Sequence, residues 1–165
     1  LSSYSRSSRK HDGKKVNLNT CIRDATRLVQ RAVQVDGIDI DLNLKGDGSL
    51  YASSTEVIQI FVNLIKNAVE AVRDERQDNG GRVTIESGQT IDQLWVNVAD
   101  NGVGIPAEVH RQVFDPFYTT KPPGKGTGLG LNVAYRIVTK YQGTIQIDCP
   151  EEGGTTFRVC FPHEG

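Results

Sequence analysis

The stretch STEVIQIFVNLIKNAVEAVRD, residues 54–74, constrains this chain more than any other. Turned at the helical period, Glu56, Gln59, Asn63, Asn67, Glu70 and Asp74 share an arc of roughly 80°. Val57, Ile58, Ile60, Phe61, Val62, Leu64, Ile65, Ala68, Val69, Ala71 and Val72 cover roughly the next 200°. A surface helix has a narrower apolar face and a wider polar one. This helix must therefore lie largely buried, with other elements built around it. Its polar stripe faces either solvent or a ligand. Asn63 and Asn67 stand one turn apart, and asparagine is a poor helix former. Their amide oxygens suit a hard cation such as Mg²⁺, with phosphate and water filling its other positions.

The other elements supply the layers. VNLN, from Val16, reads as a short strand running into a helix near Thr20–Gln34, and IDIDLNL (38–44) alternates as a half-buried strand. After the turn KGDGS and the buried helix come strands at RVTIES (82–87) and QLWVNVAD (93–100). Pro106–Gln112 reads as a short helix with proline in its first turn. A helix over Leu129–Tyr141 and the strands GTIQIDC and TTFRVCF close the chain. Strands joined by short turns, with helices interspersed, indicate an α+β sandwich.

The 165 residues suffice for one domain with a real core. A net charge of −1 favours neither nucleic acid nor an anionic membrane as partner. No apolar run approaches the roughly 20 residues of a spanning helix, and no signal peptide is visible. Cys21, Cys149 and Cys160 form no CxxC pair and read as reduced packing residues, which points to the cytoplasm. The serine-rich, basic opening LSSYSRSSRKHDGKK is either a disordered tail or the end of a helix whose body lies upstream.

Two loops bear on chemistry. DNGVGIP (100–106) follows the alternating strand QLWVNVAD, and glycines recur at 124, 126, 128 and 130. No GxxxxGK[ST] can be aligned with the second, and Leu129 occupies the third-glycine place of a dinucleotide fingerprint. It is either a flexible surface loop or a set of backbone N–H groups leading to a helix N-terminus, which attracts phosphate. Taken with the asparagine stripe, the loops read as a cation ligand, a base reader and a phosphate cradle. Asp100 would accept a hydrogen bond from an adenine amino group, contributing on the order of 1.5–3 kcal/mol. Guanine carries a carbonyl there and would be rejected.

At these residues the chain resembles the catalytic and ATP-binding domain of sensor histidine kinases, within the GHKL superfamily. NLIKNAVEA resembles the N box, DNGVGI and GKGTGLGL the two glycine boxes, FDPFYTTK the F box, and GGTTF the closing motif. Residues 16–163 would form that domain, with residues 1–15 as the end of an upstream dimerisation helix or a linker. The short stretch between Lys121 and Gly126 resembles that of the nitrogen-regulation type. The resemblance implies a two-layer Bergerat-type fold with a mixed, mainly antiparallel sheet, and ATP and Mg²⁺ as cofactors. It implies Asn67 as the Mg²⁺ ligand with Asn63 lining that site, and Asp100 on the adenine amino group. Gly102, Gly104 and Ile105 would shape the base pocket, with Thr155 supporting adenine through water. Lys121, Gly126, Thr127, Gly128, Leu129 and Gly130 would form the lid and triphosphate contacts. Phe114 and Phe117 would pack beneath the lid or serve as ordinary core.

Two departures from related proteins matter. Some members place a phosphate-binding cation where this chain has Glu70, and Arg73, one turn on, is the alternative. Hydrolytic relatives carry a water-activating glutamate where Asn63 stands, and an amide is no general base at neutral pH. The resemblance thus implies slow hydrolysis and an acceptor from elsewhere. His11, His110 and His163 all fail to match the family's acceptor motif, in which an acidic residue and a spaced proline follow the histidine. The expected partners are the parent's own dimerisation and histidine phosphotransfer domain and a response regulator receiver domain. The parent is expected to be a homodimer, cytoplasmic or membrane-anchored. The alternatives are a superfamily protein serine kinase and a catalytically silent ATP-binding module.

Overall fold

A computed structural model describes residues 14–33, 35, 37–75, 80–118 and 130–163. Strand β1 (Lys14–Asn17) runs directly into helix α1 (Leu18–Ala32). Asn17 caps that helix, its side-chain oxygen accepting the Thr20 N–H at 2.9 Å. Leu18, Cys21, Ile22, Ala25 and Val29 form its buried face at helical spacing. Strand β2 (Ile38–Leu44) and strand β3 (Ser49–Ala52) follow, then helix α2 (Ser54–Glu75). Helix α2 is the buried helix that its pattern predicts. Val57, Ile60, Phe61, Leu64, Ile65, Val69 and Val72 have no exposed surface.

Strands β4 (Gly81–Gln89), β5 (Gln93–Asp100), β6 (Thr144–Asp148) and β7 (Thr155–Pro162) join β2 in a five-stranded sheet of order β2-β4-β5-β7-β6. The β2–β4 pair is parallel, because β3 and α2 intervene as a crossover. The other three pairs are antiparallel. Strands β1 and β3 make a separate antiparallel pair. With α1, α2 and helix α3 (Gly130–Lys140) against the sheet, the molecule is a two-layer α+β sandwich.

The sheet's alternation positions the site. In β5, Leu94, Val96, Val98 and Asp100 are buried in turn, so the terminal aspartate points the same way as three core residues. In β7, Thr155, Phe157, Val159 and Phe161 do the same. Asp100 and Thr155 are register partners, so their side chains emerge together at one end of the sheet. On the opposite face, Arg158 stacks over Trp95 at 4.9 Å and donates to Asn97 at 3.2 Å.

The helix expected at Pro106–Gln112 is instead two 3-10 turns, Ala107–Val109 and Gln112–Phe114. The Val109 and His110 N–H groups reach back only three residues, to Pro106 and Ala107. Buried Val113 and the His110 side chain anchor this short segment before an α-turn can close. Strand β3 has no clear signal in the sequence, its short SLYA stretch falling between a turn and a helix.

Candidate functional site

The polar stripe of α2 divides into two parts. At its N-terminal end Glu56 takes no part in a site. It accepts the Tyr141 hydroxyl at 2.6 Å and the Lys140 ammonium at 2.9 Å, locking α2 to the end of α3. Further along, Gln59 donates to Asn63 Oδ1 at 2.6 Å, and Asn63 Nδ2 donates to the Gly130 carbonyl at 2.9 Å. Asn63 is therefore a strut between α2 and the first residue of α3. Asn67, one turn on, is half-buried and has no side-chain hydrogen bond among the described residues. Its amide oxygen is thus available to a cation.

Beyond Asn67 the helix meets the loop that follows β5. A Cβ on Gly102 would lie 2.7 Å from the carbonyl carbon and oxygen of Ala71, so only glycine lets the loop lean on the helix backbone. Asn101 ties the same loop to β4, donating to the Gly80 carbonyl and accepting the Arg82 N–H, both at 2.8 Å. Gly104 turns the chain with φ +79°. A Cβ on Gly154, beside Thr155, would sit 2.0 Å from the Asp100 carbonyl oxygen. Glycine is obligatory there for both its φ of +84° and that contact.

Asp100 is the electrostatic centre. It is only 8% exposed, and its Oδ1 accepts the Gly102 N–H at 2.8 Å. Its Oδ2 is buried without a hydrogen-bond partner, the one such side-chain atom among the described residues. Burial pushes its carboxyl up from 3.8 to about 6, while the N–H groups of Gly102 and Thr155 pull it down. A buried acceptor with no partner costs roughly 1–3 kcal/mol. Oδ2 is an acceptor that no described residue satisfies.

Ile105 packs its side chain on the core, and Cys149 and His110 hold its peptide. Phe114 stacks on Tyr135 with ring centres 5.3 Å apart, and meets Phe157 edge-on at 6.3 Å. Its carbonyl accepts from Asn132 at 2.9 Å, which holds the segment to α3. Phe117 is not ordinary core, and the lid it was expected to lie beneath falls outside the described residues. Phe117 is 73% exposed, with a positive φ of 67°. Thr155 is buried opposite Asp100. Gly130 is the first described residue of α3, and a Cβ there would meet open space. Lys121, Gly126, Thr127, Gly128 and Leu129 lie outside the described residues.

The structure thus gathers Asn67, Asp100, Gly102, Gly104, Ile105 and Thr155 around the junction of α2 with the β5 and β7 ends. Asn63 and Gly130 are joined beside them. Sequence reasoning missed Gly154, Asn132, His110 and Cys149. Gly154 lies within the GGTTF motif; Asn132 and Cys149 act on backbone groups 18 and 44 residues away, and no motif marks the contact of His110 with the Ile105 carbonyl.

Residues 52–165 match the family of histidine kinase-, DNA gyrase B- and HSP90-like ATPases. Sporulation kinase A of Bacillus subtilis (strain 168) is 38% identical over 149 residues, covering 89% of this chain and 23% of that protein. This chain therefore spans about a quarter of the length of that relative. The catalytic domain of the histidine kinase ThkA aligns with a TM-score of 0.78 at 30% identity, over 92% of this chain and 97% of that one. A crystal structure of ThkA in complex with the response regulator protein TrrA aligns at 0.74 and 26% identity, over 92% of this chain and 42% of that one. The chain belongs to the histidine kinase-, DNA gyrase B- and HSP90-like ATPase family, as an ATP-binding catalytic domain of the sensor histidine kinase kind.

Proposed function

We propose that this domain binds Mg-ATP and delivers its γ-phosphoryl group to a histidine on the dimerisation domain of its own parent protein. The observation that carries this reading is the buried, partnerless Oδ2 of Asp100. An adenine amino group supplies the missing donor, and a guanine carbonyl in its place would face a carboxylate. Gly102 and Gly104 let the backbone approach the ring, and Thr155 borders it from the neighbouring strand.

Magnesium prefers oxygen ligands and keeps water and phosphate in most positions. The half-buried Asn67 amide fits that demand as a single protein ligand. The ion, when bound, neutralises charge on the phosphates. Asn63, held to the Gly130 carbonyl, lines the same side of α2 and cannot act as a base toward water. The domain's contribution is positioning and charge neutralisation rather than covalent chemistry. Lys121 and the glycines 126, 128 and 130, with Thr127 and Leu129, are proposed as the phosphate contacts and lid. The further partner is a response regulator receiver domain, in line with the ThkA–TrrA complex. The parent is proposed to be a homodimer working in the cytoplasm.

The test uses γ-labelled ATP, Mg²⁺ and this chain, with the parent's dimerising hairpin added as a separate polypeptide. High concentrations replace the effective concentration that covalent linkage supplies. The chain alone should label itself hardly at all and release phosphate slowly. The hairpin should acquire label that survives base and is lost in acid, as a phosphoramidate is. Label that survives acid would point to a serine or threonine acceptor. ATP binding without any labelling would leave a silent nucleotide-binding module.

A further inference from the structure

The Ile105 peptide lies outside every helix and strand, so its N–H and C=O need partners from elsewhere. Both are met by side chains from other parts of the chain. The Ile105 N–H donates to Cys149 Sγ at 3.4 Å, and the Cys149 thiol donates back to the Ile105 carbonyl at 3.3 Å. His110 Nε2 lies 2.8 Å from that carbonyl. A carbonyl oxygen only accepts, so Nε2 carries the proton. The histidine and the thiol also approach each other at 3.8 Å. On its far side the thiol reaches Thr155 Oγ1 at 3.9 Å, and Thr155 is the register partner of Asp100.

The consequence is geometric. Asp100 and Ile105 bracket one loop, and Asp100 is fixed by the sheet while Ile105 is not. Among the described residues, His110 and Cys149 supply the side-chain hydrogen bonds to the Ile105 peptide, and Cys149 also reaches Thr155 at the strand end beside Asp100. We propose that His110 and Cys149 are positioning residues of the base pocket. They set the Ile105 end of the Asn101–Pro106 loop at a fixed distance from Asp100, and so set selectivity for the base. This rests on the proposed nucleotide reading, and neither residue is among the proposed phosphate contacts.

The experiment compares three ligands in the presence of Mg²⁺: ATP, ITP and inorganic tripolyphosphate. ITP carries a carbonyl where ATP carries the amino group, and tripolyphosphate has no base. The intact chain should prefer ATP to ITP. In His110→Leu, ATP affinity should fall roughly five- to tenfold, and the ATP-to-ITP ratio should fall with it. Tripolyphosphate binding and the melting temperature of the nucleotide-free chain should hold. His110→Gln, which keeps a donor, should recover most of the ratio. Cys149→Ser should do better than Cys149→Ala for the same reason. If the intact chain showed no preference for ATP over ITP, the nucleotide reading itself would fall. If it did, and His110→Leu kept the full ratio, the positioning role alone would be wrong. An equal loss for all three ligands would mark His110 as merely structural. Should the leucine variant fold poorly, the Cys149 pair decides the same question through the ATP-to-ITP ratio, and an unchanged ratio in Cys149→Ala would overturn the positioning role.

Discussion

The Gly102 N–H donates to Oδ1 of Asp100 at 2.8 Å, while Oδ2 of the same carboxylate is buried with no partner. One oxygen thus shapes the loop and the other is held in reserve. Asp100→Asn keeps the shape but presents an amide donor to the adenine amino group. ATP affinity should fall at least about tenfold, or about 1.4 kcal/mol. Calorimetric titration measures it, and an unchanged affinity would remove Asp100 from the site.

The same carboxyl makes stability depend on pH. Its folded value, about 6, lies above the ordinary 3.8, so the folded state holds its proton more tightly than the unfolded chain. Stability from this group is complete below 3.8 and is lost as pH rises through about 6. The full change is about 3 kcal/mol. Denaturant titrations of the nucleotide-free chain from pH 4 to 7 should show this decline, and Asp100→Asn should flatten it. ATP reverses the preference, since the base needs the ionised form.

Asn67→Ala should abolish the Mg²⁺ dependence of ATP binding and leave the melting temperature nearly unchanged. The amide is half-buried and makes no side-chain hydrogen bond among the described residues. A large fall in melting temperature would mean that Asn67 is a core amide.

Asn63→Glu will not turn the domain into an efficient hydrolase. The change removes the donor to the Gly130 carbonyl and sets a carboxylate against that oxygen, where 2.9 Å now separates donor from acceptor. Phosphate release should stay slow, and stability should drop by about 0.5–1.5 kcal/mol, the bond being exposed. Fast turnover in this variant would show that the strut is dispensable.

Tyr141→Phe removes a hydroxyl that donates to Glu56 at 2.6 Å and accepts the Ser53 N–H at 3.0 Å. The expected loss is about 1–2 kcal/mol. The Tyr141 hydrogen bond, then that of Lys140, holds the Glu56 carboxyl below 4.5. Its contribution is therefore present above 4.5 and lost as pH falls through the lower folded value. The variant should be less sensitive to acid in that range, as thermal melts at pH 3 to 5 would reveal.

Much of this arrangement is legible in the sequence, because period alone carries it. The 3.6 repeat shows α2 to be buried, and the alternation ending at Asp100 turns that residue inward with Val96 and Val98. Motif spacing brings in Gly102, Gly104 and Thr155. Relations between distant backbone groups are not legible. Cys149 reads as a packing residue, yet its thiol serves the Ile105 peptide 44 residues away. Glu56 shares the stripe but goes to Tyr141, 85 residues on. Phe117 reads as an apolar anchor, yet it stands exposed on a backbone of positive φ.

Asn63, Asn67 and Ala71 occupy successive turns on one side of α2. The first grips the start of α3, the second is proposed for the metal, and the third is backed by Gly102 of the loop that follows β5. At about 1.5 Å per residue, the outer two stand about 12 Å apart along the axis. The helix is a ruler, and its graduations are covalently fixed. Inserting one residue between Asn63 and Ala71 would swing everything beyond it by about 100°. Length variation in this protein is therefore barred from α2, and the span between the proposed base and phosphate sites is set by one uninterrupted run of helix.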